Sequence, residues 1–464
     1  MRGGSTLLVT SLGSFLSVIN STSLLIALPS MMVDLHMNFF TVIWVLTAYS
    51  VALAVLSPIL GKYSDMAGRR AVYRIGYLIF LVGSIMAGLS PSASIILVAR
   101  ILQGVGAACL FSNSLAIITD AFRGTELQRA MGVNAAVVGF GTAIGPIVGG
   151  ALTQITWRLI FLANAPIAAL GYALSGSGVA EEPRAKVSIE MDWAGSAAFS
   201  ALVTILIVYL TLSPIIGWTG TTLAMPIAAL VLLAAFIYVE RRAENPIINP
   251  SIFRNRKFSF TITSTLLNSI TRYSLILLLA LYLQGPAGYS PLEAGVLMTP
   301  YAVAMGLSSF FAPNLVRRVN SEALEVIGLF LIVASAFALA MSPIPYVYAA
   351  IAMSIGGAGM GLFYTPNNTA IMLSVEPMQR GVAAGFRTLM LNLGSAVGTA
   401  LTFAVLATEE PMQLIGNVFL GLSTSLGYRD KILFTRGIDI VYVIIGAMSL
   451  LTALLIIMES KRHK

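Results

Sequence analysis

Fourteen stretches of about twenty largely apolar residues, joined by short polar links, run the length of the chain, the first at 7–30 and the last at 437–458. A helix needs about 20 apolar residues to cross the hydrocarbon core of a bilayer. In that core every backbone N–H and C=O must be bonded within the protein, so segments of this length are helical. The weakest division is Gly217-Trp218-Thr219-Gly220, between the seventh stretch (193–213) and the eighth (221–239). Composition points the same way. Of 464 residues, 57% are hydrophobic and 10% charged, where a soluble domain has about 25% charged. The expected fold is all-α and integral to the membrane. The first apolar run, to Pro29, is too long for a signal-peptide core and is read as an uncleaved span.

Lysine and arginine fall mainly in alternate links, including Lys62, Arg69, Arg70, Arg74, Arg123, Arg129, Arg184, Lys186, Arg241, Arg242, Arg317, Arg318 and Arg380. The positive-inside rule puts these links, and both termini, in the cytoplasm of a cell-membrane protein. The net charge of +8 is thereby explained without nucleic acid. A lone Cys109 excludes an intramolecular disulfide, and His36 and His463 are too far apart in sequence to suggest a metal site. No acid pair, metal cluster or nucleotide loop is visible, so neither an enzyme nor a cofactor is expected.

Three motifs carry chemistry. The segment Gly61-Lys62-Tyr63-Ser64-Asp65-Met66-Ala67-Gly68-Arg69-Arg70 reads as a tight charged turn. Gly61 and Gly68 permit the reversal, the basic residues hold it in water, and Asp65 is placed to accept from the N–H groups that open the third span. In the fourth span Arg100 and Gln103 share a helical face. An arginine there costs ~2.5–3.5 kcal/mol on insertion scales, so Arg100 is expected to face the protein interior or a cavity, the alternative being that it snorkels to the outer surface. In the fifth span Gly141, Gly145 and Gly149 form one face that lets a second helix approach closely. Pro146 removes a backbone hydrogen bond, and Gly150 completes G-x-x-x-G-P-x-x-G-G.

These motifs resemble those of the major facilitator superfamily: the loop after span two, the R-x-x-Q-G of span four and the antiporter motif of span five. Three further stretches are similar to the same family: Trp157-Arg158 to Pro166, Tyr282 to Gly295, and Trp44 with Tyr49. The chain is identified as a member of its fourteen-span drug:proton antiporter branch. The resemblance implies an export carrier with a cytoplasmic gate at 61–70 and a span-four arginine tied to proton coupling. It also implies two six-helix bundles, expected at 1–177 and 258–464, with two inserted spans and their flanking linkers at 178–257. A weak internal repeat agrees: Gln128-Arg129 to Gly145 resembles Gln379-Arg380 to Gly398.

The chain departs from the family pattern in two ways. Met66 stands at a usually basic position, and Asn20 where the family places an aspartate. Asp34, Asp120, Glu376 and Asp439 fall near span ends, so Asp34, Asp65, Asp120 and Asp439 are the stand-ins for a proton carrier. Arg272 falls near mid-membrane, with Asn268 one turn away. With Arg100 it makes the expected cavity positive, favouring anionic or neutral amphiphiles over cations. The candidate cavity residues are Asn20, Trp44, Arg100, Gln103, Asn268, Arg272, Tyr301 and Asn392, with Tyr273, Tyr364, Asn367 and Asn368 at similar depth. The expected function is proton-coupled export of small amphiphilic compounds by alternating access, by a monomer whose partners are substrate, protons and lipid. Two alternatives stay open: an uncoupled exporter of an anionic or neutral metabolite, and a membrane sensor or scaffold that binds without transport.

Overall fold

The computed structural model describes residues 2–179, 191–217, 219–247, 251–341, 345–419 and 426–462; Arg184, Lys186, Trp218 and His463 lie outside them. Among the described residues there is no strand, and fourteen helices are long and apolar enough to cross a membrane. The first six are α1 (Arg2–Asp34), α2 (Phe39–Ala67), α3 (Arg69–Gly88), α4 (Ala93–Ala121), α5 (Gly124–Thr153) and α6 (Arg158–Gly178). Next come α7 (Trp193–Ile216) and α8 (Gly220–Glu240). The last six are α9 (Arg256–Gln284), α10 (Leu292–Val316), α11 (Ser321–Leu339), α12 (Tyr346–Leu373), α13 (Arg380–Glu409) and α14 (Tyr428–Arg462).

Polar side chains at the ends set where these helices begin. Asn38 accepts from Thr41 N at 2.8 Å, Asp192 from Gly195 N at 2.8 Å, and Asn320 from Ala323 N at 2.7 Å. Each satisfies an N–H that the first turn leaves without a helical partner. Within the spans, hydroxyls bond back to their own helix, as Thr47 does to Ile43 O at 2.8 Å and Thr402 to Gly398 O at 2.8 Å. A threonine can thus sit in an apolar setting without an unmade bond.

The motif at 61–70 is shaped differently from the expected turn. α2 runs unbroken to Ala67, so Gly61 and Asp65 lie on its last turns. Only Gly68 leaves the helix, with φ +101°, a value that favours glycine. The apolar run ends at Gly61, but the backbone hydrogen bonds continue, and helix termination follows the latter.

Glycines fix the helix pairing twice over. On α5 a Cβ at Gly145 would overlap Thr22 and one at Gly149 would overlap Ser23, so α5 lies directly on α1. On α13 a Cβ at Gly394 would overlap Ser269 and one at Gly398 would meet Ile270 O and Ser274, so α13 lies directly on α9. The faint sequence repeat therefore has a structural counterpart, with the same glycine seam in each set of six helices. Between the sets, α2 packs on α13 and α5 on α10. α7 packs against α8, α2 and α13. One buried cluster includes Ile59, Met131, Phe199, Phe236, Ile371 and Phe386, and so joins all three groups.

Candidate functional site

At the end of the bundle that carries most of the arginines, α2 and α13 meet through a carboxylate–arginine network. Asp65 Oδ2 accepts from Gly381 N at 2.9 Å and from Val382 N at 3.2 Å. Its other oxygen is 2.9 Å from Arg69. Arg69 also donates to Pro377 O at 3.0 Å and lies 3.1 Å from Asp120. Asp120 is paired in turn with Arg380 at 2.8 Å. Asp65, Arg69 and Arg380 are buried, and Arg70 beside them is half-buried. Asp65 therefore sits on the amides that open α13. The physical reason matches the expectation, a carboxylate at a helix N-terminus, but the helix is a distant one.

The expected cavity residues lie in both sets of six helices. Arg100 is 1% exposed. It donates to Val45 O at 3.0 Å and to Gln103 at 2.9 Å, and lies over the Tyr49 ring at 4.4 Å. Gln103 continues to Ser84 at 3.0 Å. Arg100 thus faces the protein interior, and with Gln103 it ties α2, α3 and α4 together through a carbonyl and an aromatic face on α2. Trp44 packs on a cluster of Ile43 with Val208 and Leu212 of α7. Asn20 is fully buried and accepts from Asn164 at 3.2 Å.

The second set of six helices supplies the other group. Arg272 of α9 lies 4.4 Å from the centre of the Tyr273 ring and 5.6 Å from that of Tyr364. Tyr301 of α10 is buried in the same core cluster as Tyr364. Asn268 donates to the sulfur of Met360 at 3.1 Å. Arg387 of α13, which the sequence reading passed over, donates to Asn368 and shares the Tyr364 ring at 5.8 Å. It also faces Phe111 of α4 at 5.8 Å. Asn392 is half-buried and bonds to Thr388 O at 2.8 Å, while Asn367 accepts from Thr265 at 2.8 Å.

The description Major Facilitator Superfamily matches residues 10–399. The chain belongs to that superfamily. Membership makes it a multi-pass membrane transporter and not an enzyme. It is similar to the multidrug resistance protein Stp of Mycobacterium tuberculosis, 31% identical over 406 residues, covering 87% of this chain and 75% of Stp. It is 33% identical over 408 residues to the puromycin resistance protein pur8 of Streptomyces alboniger, covering 85% of this chain and 80% of pur8. Among solved structures, the human organic anion transporter MFSD10 matches with a TM-score of 0.69 at 16% identity, over 98% of this chain and 99% of that one. At that identity the likeness shows the fold alone.

In this transporter the α7–α8 pair is joined to the α2–α13 contact. Lys62 of α2 donates to Asn245 O at 2.6 Å and Pro246 O at 2.8 Å, in the link after α8. Phe386 of α13 meets Phe199 of α7 at 6.5 Å and Phe253, beyond the same link, at 5.5 Å. The pair thus holds both sides of the junction. At the opposite end of the transporter, Asp34 pairs with Arg158 and accepts from Trp157 at 2.9 Å. The Arg158 hydrogen bond, then that of Trp157, hold its carboxyl below the usual range. There too a short helix, Met412–Phe419, lies between α13 and α14. Phe419 packs on the cores of both six-helix sets.

Proposed function

We propose that the protein is a secondary active exporter of small amphiphilic compounds, working by alternating access, with its arginine-rich end and both termini in the cytoplasm of a cell membrane. The network of Asp65, Arg69, Asp120 and Arg380 carries this reading, because it bonds α2 and α4 to α13 across the junction that must part for substrate to enter. We take 1–177 and 258–464 as the two moving bundles of a monomer and 178–257 as an inserted pair. Export is supported by the α1–α5 glycine seam and by the multidrug and puromycin resistance named for two relatives.

Protons are the coupling ion in this account. Asp65 bonds the amides of α13 across the junction, and a proton on it removes the charge on which its Arg69 contact depends. One observation favours a second reading, uncoupled export: Asn20 is buried and bonded to Asn164 where an aspartate would titrate. Sealed liposomes holding the purified protein separate the two. Flux of cationic, neutral and anionic compounds is measured with and without a pH gradient, with an internal dye reporting proton movement. The account expects a gradient to speed flux at least about threefold, with protons moving against substrate. Flux that ignores the gradient for every compound supports uncoupled export. Binding without flux for the whole panel supports a sensor.

A further inference from the structure

Two guanidinium groups, from α9 and α13, converge on one tyrosine. The Arg272 and Arg387 guanidinium carbons lie 5.6 and 5.8 Å from the centre of the Tyr364 ring. Both arginines are more than nine-tenths buried, at 8% and 5% exposure. Arg69 and Arg380 elsewhere in the transporter each have a carboxylate partner among the described residues. Neither Arg272 nor Arg387 has a carboxylate partner among them. Two like charges in a low-dielectric interior repel each other, and each carries a desolvation penalty that a counter-charge relieves. The aromatic faces of Tyr273, Tyr364 and Phe111 offset only part of that penalty.

The polar atoms around them complete the pattern. Arg272 Nε and the hydroxyls of Tyr301 and Tyr364 are buried and have no hydrogen-bond partner among the described residues. Buried donors of this kind are normally bonded. Arginine and two phenols offer a planar fork and two O–H groups, the donor set suited to a carboxylate or sulfonate. Phe111 reaches the cluster from the other bundle, so an occupant would touch both halves of the transporter.

We propose that Arg272, Tyr301, Tyr364 and Arg387 bind the acidic group of the transported compound, an amphiphile carrying a carboxylate or sulfonate. Arg272 pairs with the anion through its fork, the two phenols donate to its remaining lone pairs, and Arg387 adds positive charge beside Phe111. The inference rests on the exporter reading and adds to it the sign of the substrate charge.

Fluorescein and rhodamine 123 share a ring system and differ in charge, so they serve as the anionic and cationic probes. Binding to the purified protein is followed by fluorescence anisotropy, and transport in liposomes. The wild type is expected to bind fluorescein at least about tenfold more tightly than rhodamine 123. Arg272→Gln should weaken fluorescein binding about tenfold or more and leave rhodamine 123 unchanged or improved, with Arg272→Lys in between. Tyr301→Phe and Tyr364→Phe remove one hydroxyl each, keep the packing, and should each weaken fluorescein binding about three- to tenfold. These two variants answer the question if Arg272→Gln fails to fold. Wild-type preference for rhodamine 123, absence of fluorescein binding, or fluorescein binding that none of the folded variants alters overturns the anion site. Rhodamine 123 export in that case leaves the exporter reading standing, whereas binding of either dye with transport of neither counts against export itself.

Discussion

Gly61 of α2 and Gly381 of α13 touch through their backbones. A Cβ on either would overlap the carbonyl oxygen of the other. The contact brings α13 close enough for Asp65, one turn further along α2, to reach the amides of Gly381 and Val382. Gly61→Ala or Gly381→Ala should therefore disfavour the closed junction by about 1–3 kcal/mol, as overpacking does elsewhere. Spin labels on Ala67→Cys and Met378→Cys, with the buried Cys109 replaced by alanine, report the separation of the two sides. The distance distribution is expected to move to longer values in either glycine variant, and an unchanged distribution would show that the contact does not set the closed state.

Asp120 and Arg380 form the second bond across the junction, at 2.8 Å with both side chains largely buried. Asp120→Asn leaves Arg380 buried without its carboxylate and should destabilise the closed state by about 3–5 kcal/mol, whereas Arg380→Gln leaves Asp120 paired with Arg69 and should cost less. The double variant should cost less than the sum, with a coupling of about 1–3 kcal/mol. Arg69 also contacts Asp120, so the Asp120 variant should be the more severe of the two. The same spin-label distances, measured across the cycle, supply the populations.

The scaffold was legible in the sequence because lipid as solvent demands it. Long apolar runs give the number of spans, and glycines four apart on α5 give a face for a neighbouring helix. Which partner a charge would find was not legible. Asp65 was read against the nearest helix start, yet it bonds α13, more than three hundred residues on. For Arg100, insertion cost says only that it avoids lipid, not which helix supplies its partners; α2 does so. Arg387 lies about two turns into α13, where a basic residue reads as an anchor at the water boundary. The structure shows it largely buried beside Tyr364.

Lys62 ties the link after α8 to α2 through two carbonyls. Lys62→Met keeps the aliphatic stem but strands both acceptors. Hydrogen exchange at 237–247 should quicken, while exchange in α5 and α10 stays as in the wild type. Equal protection of 237–247 in both proteins would mean that the lysine does not hold the link.

The Asp34–Arg158 pair at the opposite end predicts a pH signature. Its carboxyl is held below the ordinary value by Arg158 and Trp157, so its stabilisation is fully present above that ordinary value. It fades as pH falls through the lowered, folded-state value. The thermal midpoints of wild type and Asp34→Asn should differ by a constant amount between pH 8 and pH 5 and converge below about pH 4. The pair is exposed, so the difference will be small.

Asn20 offers a gain-of-function test. It is fully buried beside Asn164, so Asn20→Asp places a carboxyl where no compensating cation is bonded to it. The variant should bring a proton-dependent phase of transport near neutral pH, since burial favours the protonated form, or improve handling of rhodamine 123. Identical pH dependence and dye selectivity in both proteins would remove Asn20 from the transport path.

The central claim is that transport requires the α2–α13 junction to open. Ala67→Cys and Met378→Cys, in the background lacking Cys109, can be joined by a short bifunctional methanethiosulfonate and released with a reducing agent. Substrate flux in liposomes should fall at least about tenfold when the bridge is made and return when it is cut. Undiminished flux through the bridged protein would contradict the account.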